Sequence, residues 1–101
     1  MNSRADAPIR RMAIVCKRVV YSGQVQGVGF RFTAKGLATN HPVAGYVRNL
    51  PTGEVELLAQ GESDSVEAFL AAVARRMAGY ITNTTVEEAA PSGQTGFQIR
   101  H

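Results

Sequence analysis

A segment rich in β-branched and aromatic residues runs into a glycine-rich loop in the stretch Lys17-Arg18-Val19-Val20-Tyr21-Ser22-Gly23-Gln24-Val25-Gln26-Gly27-Val28-Gly29-Phe30-Arg31. Residues 17–24 predict a strand, because such side chains are enriched in sheets. After the loop, apolar residues recur at helical spacing from residue 30 to residue 41, which predicts a helix that Pro42 ends. The chain therefore changes from strand to helix across a loop that contains three glycines.

The strands that follow this unit come in two pairs. Residues 43–50 and 54–60 predict two strands joined by a tight turn at residues 51–53, which together form a β-hairpin. Residues 81–89 and 96–100 predict two further strands near the end of the chain.

The helix between these pairs has the clearest pattern in the sequence. Asp64, with Glu67 three residues later, suits a capping box at its start. Its last turn contains Arg75 and Arg76, which the helix dipole favours there, and Gly79 is typical of the position just after a helix.

The order of the elements, β-α-β-β-α-β, predicts the fold class. It is typical of an α+β, ferredoxin-like sandwich, in which an antiparallel sheet carries two helices on one face. This fold hosts enzymes, RNA-binding modules and small-molecule regulatory domains, so it does not decide the function.

The composition indicates one ordinary globular domain. A chain of 101 residues with 45% hydrophobic and 19% charged residues can build a single core and is not typical of disorder. No apolar stretch approaches the roughly 20 residues that cross a bilayer, so we expect no membrane association. Cys16 is the single cysteine, so an internal disulfide cannot form and a cytoplasmic location is expected.

The net charge of +3 raises the question of a nucleic-acid partner. Residues 1–18 contain five basic residues and one acidic residue, whereas residues 19–101 contain six basic and seven acidic residues. The basic excess therefore belongs to the leading segment, and we expect no nucleic-acid partner for the folded body.

The first residues of the chain lack sustained periodicity. Residues 1–16 are therefore expected to form a weakly ordered N-terminal extension, and residues 17–101 the domain. Met12 offers the alternative that translation begins there, which the intact mass of protein made from the native gene would decide. We expect the protein to be a monomer.

The glycine-rich loop supplies groups that bind an anion. Gly23, Gly27 and Gly29 let backbone N–H groups turn inward, and the helix that follows adds unpaired N–H groups and a positive dipole end. Arg31 lies at this junction, and its guanidinium can bind two phosphate oxygens at once. The alternative is a tight turn with a solvated arginine. Known fingerprints do not match, because G-x-x-x-x-G-K-[ST] is absent and Phe32 replaces the third glycine of a dinucleotide loop.

Asn49 is the second candidate for a functional residue. Asparagine is disfavoured inside strands, yet Asn49 lies near the end of a predicted strand. One reading assigns it a role in binding or catalysis. The alternative is that its side chain bonds the backbone of the turn around Pro51.

Two segments resemble the signatures of a known family. Residues 23–31 closely resemble the first signature of the acylphosphatases. The family's second signature is matched by a segment of this chain, Gly45-Tyr46-Val47-Arg48-Asn49, together with Gly53-Glu54-Val55-Glu56 after it; this segment resembles that signature. That family's final strand is similar to Phe97-Gln98-Ile99-Arg100. The likeness covers residues 17–101, which are identified as an acylphosphatase-like domain. Tyr46, where tryptophan is common, and Thr52, where aspartate often stands, are mild departures.

The resemblance implies an enzyme that hydrolyses the carboxyl–phosphate anhydride of small acyl phosphates, with no metal, cofactor or covalent intermediate. It implies that Arg31 binds the phosphate group and that Asn49 orients the attacking water. It also implies a phosphate-binding cradle made of Gln24, Val25, Gln26, Gly27, Val28, Gly29, Phe30 and Arg31.

The available side chains agree with such chemistry. A carboxylate is a good leaving group that needs no general acid, so phosphoryl transfer asks mainly for positioning and charge stabilisation. An amide cannot serve as a base at neutral pH, but Asn49 can hold a water in line with the phosphorus. His41, His101 and Cys16 are scattered along the chain and do not predict a metal site.

The sequence disfavours each of three rival functions. An RNA-binding module would have aromatic residues on the third strand, whereas residues 54–60 have none and include two glutamates. A small-molecule regulatory domain usually accompanies a catalytic partner, which 101 residues do not include. The third rival is a maturation-factor domain that acts on carbamoyl phosphate, and the missing remainder of such a factor counts against it.

Overall fold

A computed structural model of the protein describes residues 13–101. It contains five strands and two helices in the predicted order, with a short fifth strand at the end. They are β1 (Ile14–Gly23), α1 (Phe30–Ala38), β2 (Val43–Asn49), β3 (Val55–Glu62), α2 (Ser63–Arg76), β4 (Ile81–Ala89) and β5 (Phe97–Arg100). The α+β, ferredoxin-like class is therefore confirmed.

The sheet is mixed, which corrects the prediction that it is antiparallel. Its strand order is β4-β1-β3-β2-β5, and the β2–β5 pair is parallel while the other three pairs are antiparallel. The chain must cross the end of the sheet between β4, at one edge, and β5, at the other. Gln60, near the end of β3, holds this crossing segment: its amide donates to the Ser92 carbonyl at 2.7 Å and accepts from the Ser92 N–H at 2.9 Å.

The first strand begins earlier than predicted. β1 starts at Ile14 rather than at residue 17, because Cys16 is buried and pairs with both neighbouring strands, opposite Gln60 and Ala89. The predicted boundary at residue 16 thus falls inside β1. Residues 1–12, including Met12, lie outside the described residues, so the N-terminal extension and the alternative start stay predictions.

The start of α2 also differs from the prediction. The helix begins at Ser63, its N-cap residue is Glu62, and no side chain caps it, so the predicted Asp64–Glu67 capping box is wrong. The reason is that β3 runs into α2 without a linker. The Ser63 N–H donates instead to the Ala13 carbonyl at 3.0 Å, so backbone from the start of the neighbouring strand satisfies one of the free amides of the first turn.

Both helices end earlier than their patterns indicated. α1 stops at Ala38, three residues before His41. Backbone hydrogen bonds between residues three apart tighten the turn that follows, and the Thr39 hydroxyl donates to the Gly36 carbonyl at 2.7 Å. α2 ends at Arg76 with Met77 as its C-cap, so Gly79 lies one position beyond the site predicted for it.

The core lies between the two helices and one face of the sheet. Alternate residues of β1 and β3 point into it, as the period of two in a strand requires. The side chains that are almost completely buried there include Val19, Tyr21, Val25, Phe30, Val47, Val55, Leu57, Val66, Phe69 and Val73. Val25 and Phe30 anchor the two ends of the glycine-rich loop in this core, which fixes the loop to the rigid part of the molecule.

The other face of the sheet has a buried charge at its centre. Glu56 on β3 is 3% exposed and accepts hydrogen bonds from Arg18 Nε at 2.5 Å and Arg48 Nε at 2.6 Å. Burial raises the pKa of this carboxyl, but the bonds from the two guanidinium groups more than offset it, so its pKa lies below its ordinary value of 4.5. Glu56 is therefore a buried carboxylate whose charge is paired by two arginines.

Replacement of Glu56 by glutamine is expected to lower the free energy of unfolding by about 1–3 kcal/mol at pH 7, since two charge-assisted hydrogen bonds weaken. The pKa is lower in the folded state than in the unfolded state, so this stabilisation is present above pH 4.5 and is lost as the pH falls through the folded pKa. Urea denaturation of both proteins between pH 3 and 7 measures it.

The matched control is Glu88→Gln, which removes a 3.1 Å ion pair to Lys17 whose carboxylate is 76% exposed. Exposed pairs of this kind contribute under about 1 kcal/mol, so this variant should stay close to the wild type. A Glu56→Gln effect that persists unchanged at pH 3 would contradict the assignment.

Candidate active site

The loop between β1 and α1 has a backbone shape that favours glycine. Gly27 and Gly29 both have φ of +79°, in the left-handed region that other residues enter only with strain. A Cβ at either position would meet no atom within 4 Å. These two glycines are therefore required by the backbone conformation and not by close packing.

The amides of this loop are free to bind an anion. Among residues 13–101, no acceptor contacts the backbone N–H groups of residues 25–29. Gly29 is the N-cap of α1 and provides no side-chain cap, and the first turn of the helix contains no acidic residue. The positive end of the helix dipole is thus not compensated by a local carboxylate.

Arg31 adds a full positive charge beside these amides. It is the second residue of α1 and is half-buried. Within residues 13–101 it has no carboxylate partner, and its one polar contact is from Nη1 to the His101 Nδ1 at 3.4 Å. Its guanidinium can therefore bind an anion without first breaking an ion pair.

Asn49 is the last residue of β2 and lies half-buried next to the hairpin turn. Its side chain makes no hydrogen bond within residues 13–101, which goes against the alternative that it bonds the turn. The turn is held by other groups: the Leu50 N–H donates to the Glu54 carbonyl at 2.8 Å, and the Gly53 N–H donates to the Leu50 carbonyl at 3.1 Å. The amide of Asn49 is thus available to a ligand.

Arg31 and Asn49 line the same pocket. It has a volume of about 130 Å³, well below the 300–1,000 Å³ of sites that hold drug-sized molecules. Its walls are formed by Val25, Gly27, Gly29, Phe30, Arg31, Phe32 and Asn49. The arrangement fits a small anion held by backbone amides and one guanidinium, with a carboxamide beside it.

Three residues of the predicted cradle do not line this pocket, namely Gln24, Gln26 and Val28. Gln24 joins the loop to the rest of the fold through its backbone N–H, which donates to the Tyr80 carbonyl at 2.9 Å. Val28 is partly buried against the core. Phe32, which the sequence singled out only as a mismatch to a dinucleotide motif, lines the pocket instead.

Gln26 has a structural contact that the sequence did not predict. Its side-chain amide donates to the Leu50 and Glu54 carbonyls, both at 2.8 Å, and these two groups flank the turn that follows Asn49. A second link lies nearby, since the Glu54 carboxylate accepts from the Ser22 hydroxyl at 3.0 Å. The loop with Arg31 and the hairpin with Asn49 are thus fixed to each other.

The structure gives less support to a metal site, a membrane span or a cysteine nucleophile. Among residues 13–101, no three side chains of His, Cys, Asp or Glu lie close enough together to hold a metal ion. In the same part of the chain, neither helix has the length and apolar character to span a bilayer. Burial raises the pKa of the Cys16 thiol, so this cysteine is a poor nucleophile.

The chain is similar to proteins of one family throughout most of its length. The family model described as Acylphosphatase matches residues 17–99. An acylphosphatase of Methanospirillum hungatei JF-1 is 42% identical over 88 residues, covering 83% of this chain and 97% of that protein. The crystal structure of acylphosphatase from Bacillus subtilis has a TM-score of 0.78 at 31% identity, covering 86% of this chain and 99% of that chain. T. kodakarensis HypF has a TM-score of 0.72 at 26% identity, with 88% of this chain but 12% of that chain covered.

The fold and the pocket define a ferredoxin-like α+β domain in which a glycine-rich loop lines a small pocket at the start of the first helix. The match over residues 17–99 and the identity of 42% then settle the family: the chain belongs to the acylphosphatases. The resemblance drawn from the two signature segments is confirmed.

Proposed function

We propose that the protein hydrolyses the carboxyl–phosphate bond of small acyl phosphates and releases a carboxylate and inorganic phosphate. Family membership and acylphosphatases that are 38–42% identical over most of the chain support this. The observation that carries the proposal is a single small pocket that is lined by Arg31, Asn49 and the glycine-rich loop, whose amides lack acceptors within residues 13–101.

The phosphate group binds to the loop. Backbone N–H groups of residues 25–29 and the start of α1 donate to its oxygens, and Arg31 binds two of them through its planar guanidinium. These donors also stabilise the charge that spreads over the equatorial oxygens in the transition state. The pocket is small, so the phosphate fills it and the acyl group extends outward.

Asn49 holds the attacking water in line with the bond that breaks. The water oxygen bonds to phosphorus while the bond from phosphorus to the carboxyl oxygen breaks, and the carboxylate leaves with the electron pair. The water's proton passes to a phosphate oxygen, so the products are a carboxylate and dihydrogen phosphate. No general acid is needed, because a carboxylate is a stable leaving group.

A steady-state assay on benzoyl phosphate, with inorganic phosphate as the competitor, tests this function. We expect turnover that phosphate inhibits competitively and that EDTA leaves unchanged. No turnover of benzoyl, acetyl or carbamoyl phosphate would contradict the proposal. Activity that vanishes in EDTA and returns with Mg²⁺ would contradict the metal-free mechanism. A strong preference for carbamoyl phosphate would favour the rival assignment to a maturation-factor domain.

Gln26→Leu is expected to lower kcat by about tenfold, because the loop and the hairpin lose the two hydrogen bonds that fix them to each other. The same variant should lose about 1–2 kcal/mol of unfolding free energy. The assay on benzoyl phosphate and urea denaturation measure the two effects.

Gln98→Leu is the matched control, since Gln98 is an exposed residue of β5 that does not line the pocket. It should leave both quantities near the wild-type values. If Gln26→Leu loses stability but keeps the full kcat, then Gln26 has no part in positioning the site.

We further propose that the protein acts as a cytoplasmic monomer with no nucleic-acid partner. The single cysteine is free and buried, which suits a reducing compartment. The near-neutral charge of residues 19–101 supports the absence of a nucleic-acid partner. Sedimentation at micromolar concentration tests the monomer.

A further inference from the structure

Phe32 has no role in the core. The chain has four phenylalanines, and three of them are almost fully buried: Phe30 is 2% exposed, Phe69 0% and Phe97 9%. Phe32 is 75% exposed, although it follows Arg31 directly and lines the phosphate pocket. A large aromatic side chain at the rim of a proposed active site is available to the part of the substrate that extends from the pocket.

A second cavity, a groove beside α1, also borders Phe32. This second cavity has a volume of about 420 Å³ and runs along α1 from Phe32 past Gly36 to Arg76 at the end of α2. Phe32 lines both cavities, so the groove adjoins, at this residue, the place where the phosphate is proposed to bind. The acyl group of a bound acyl phosphate has a path along it.

Gly36 keeps this path open. It lies four residues after Phe32, on the same face of α1, and a Cβ there would meet no atom within 4 Å. Neither close packing nor a positive φ requires glycine at this position, and glycine is unfavourable in the middle of a helix. The absence of a side chain from the floor of the groove accounts for the glycine at this position.

Arg76 gives the far end of the groove a positive charge. It has no ion-pair partner within residues 13–101. Asn40 lies at the same end and adds a polar side chain. The groove therefore changes from an aromatic surface near the phosphate pocket to a cationic, polar surface at its end.

We propose that the acyl group of the substrate lies on the ring of Phe32 and points along the groove toward Arg76. The favoured substrates are then acyl phosphates whose acyl group contains a flat or extended apolar part and ends in a negatively charged group. This inference rests on the proposed function and adds the class of acyl group that the site selects.

The test compares kcat/KM for three probes: acetyl phosphate, benzoyl phosphate and 4-carboxybenzoyl phosphate. These compounds differ in intrinsic reactivity, so each variant is compared with the wild type on the same compound. Phe32→Ala should lower kcat/KM about 2- to 10-fold more for the two aromatic compounds than for acetyl phosphate. Phe32→Tyr, which keeps the ring, should stay near the wild type on all three.

Two further variants test the groove. Arg76→Gln should lower kcat/KM about 2- to 5-fold for 4-carboxybenzoyl phosphate only, which is the effect of losing one exposed charge pair. Gly36→Leu should impair both aromatic compounds and spare acetyl phosphate, because its side chain fills the path. Val86→Ala is the control, since Val86 is 54% exposed but lies on β4 and lines neither cavity.

Equal losses on all three compounds in Phe32→Ala, or no loss on any, would overturn the inference while leaving the hydrolytic function intact. If Arg76→Gln changes kcat/KM equally for 4-carboxybenzoyl phosphate and benzoyl phosphate, then Arg76 does not select a negatively charged end of the acyl group. Failure of the wild type to hydrolyse any of the three compounds would contradict the proposed function itself, and the inference with it.

Discussion

Asn49→Ala is expected to lower kcat on benzoyl phosphate by about 100-fold or more while leaving the affinity for inorganic phosphate nearly unchanged. The reason is the division of labour proposed for the pocket. The loop amides and Arg31 bind the phosphate in the ground state, whereas Asn49 acts on the water, whose position matters only in the transition state. Steady-state kinetics, with the inhibition constant of phosphate measured on both proteins, separates the two effects.

Loss of the fold is not the expected cause of this drop in kcat. The Asn49 side chain makes no hydrogen bond within residues 13–101, so its removal should change the free energy of unfolding little. Asn83→Ala, at an exposed position of β4, controls for the loss of an asparagine elsewhere. An Asn49→Ala protein that is folded and turns over at nearly the wild-type rate would disprove the proposed role.

Arg31→Ala is expected to have the second-largest effect, a loss of about 1.5–3 kcal/mol in the binding of phosphate, or more than tenfold in its dissociation constant. Both KM and the inhibition constant of phosphate should rise, because the guanidinium contacts the phosphate before and during the reaction. Arg31→Lys should recover only part of this loss, since an ammonium group cannot bind two oxygens in a fork.

Arg75→Gln provides the control for charge, because it lowers the net charge by the same amount and lies at the end of α2, outside the phosphate pocket. It should leave the affinity for phosphate within about twofold of the wild type. If the two arginine variants weaken phosphate binding equally, then the overall field of the protein, and not a contact from Arg31, attracts the anion.

The elements of the fold were predictable because each follows from a local pattern. β2, β3, β4 and both helices were predicted within a few residues, as alternation and helical spacing require only neighbouring positions. The parallel pairing of β5 was not predictable, because four residues give no local sign of which edge they join. The early start of β1 was hidden by Lys17 and Arg18, whose charges are paired by Glu88 and Glu56 from distant parts of the chain.

The residues of the site were likewise predictable only where a local pattern marks them. Arg31 and Asn49 could be singled out because one follows a glycine-rich loop and the other is unusual in a strand. The link from Gln26 was missed, since its acceptors lie 24 and 28 residues away and a glutamine in a loop carries no signal of its own. Phe32 did leave a signal: it is a large apolar residue that falls off the buried stripe formed by Phe30, Ala34 and Ala38.

The two bonds from Gln26 also have a dynamic consequence. Because one side chain holds the carbonyls on both sides of the hairpin turn, the loop cannot open without loosening that turn. We therefore expect the two segments to open as one local unfolding unit, although about twenty residues separate them in sequence. An anion bound to the loop should slow hydrogen exchange at the Leu50 and Gly53 amides, which close the turn and lie outside the phosphate pocket. Ligand binding at one end of the sheet would then be recorded as rigidity in turn amides that do not line the phosphate pocket.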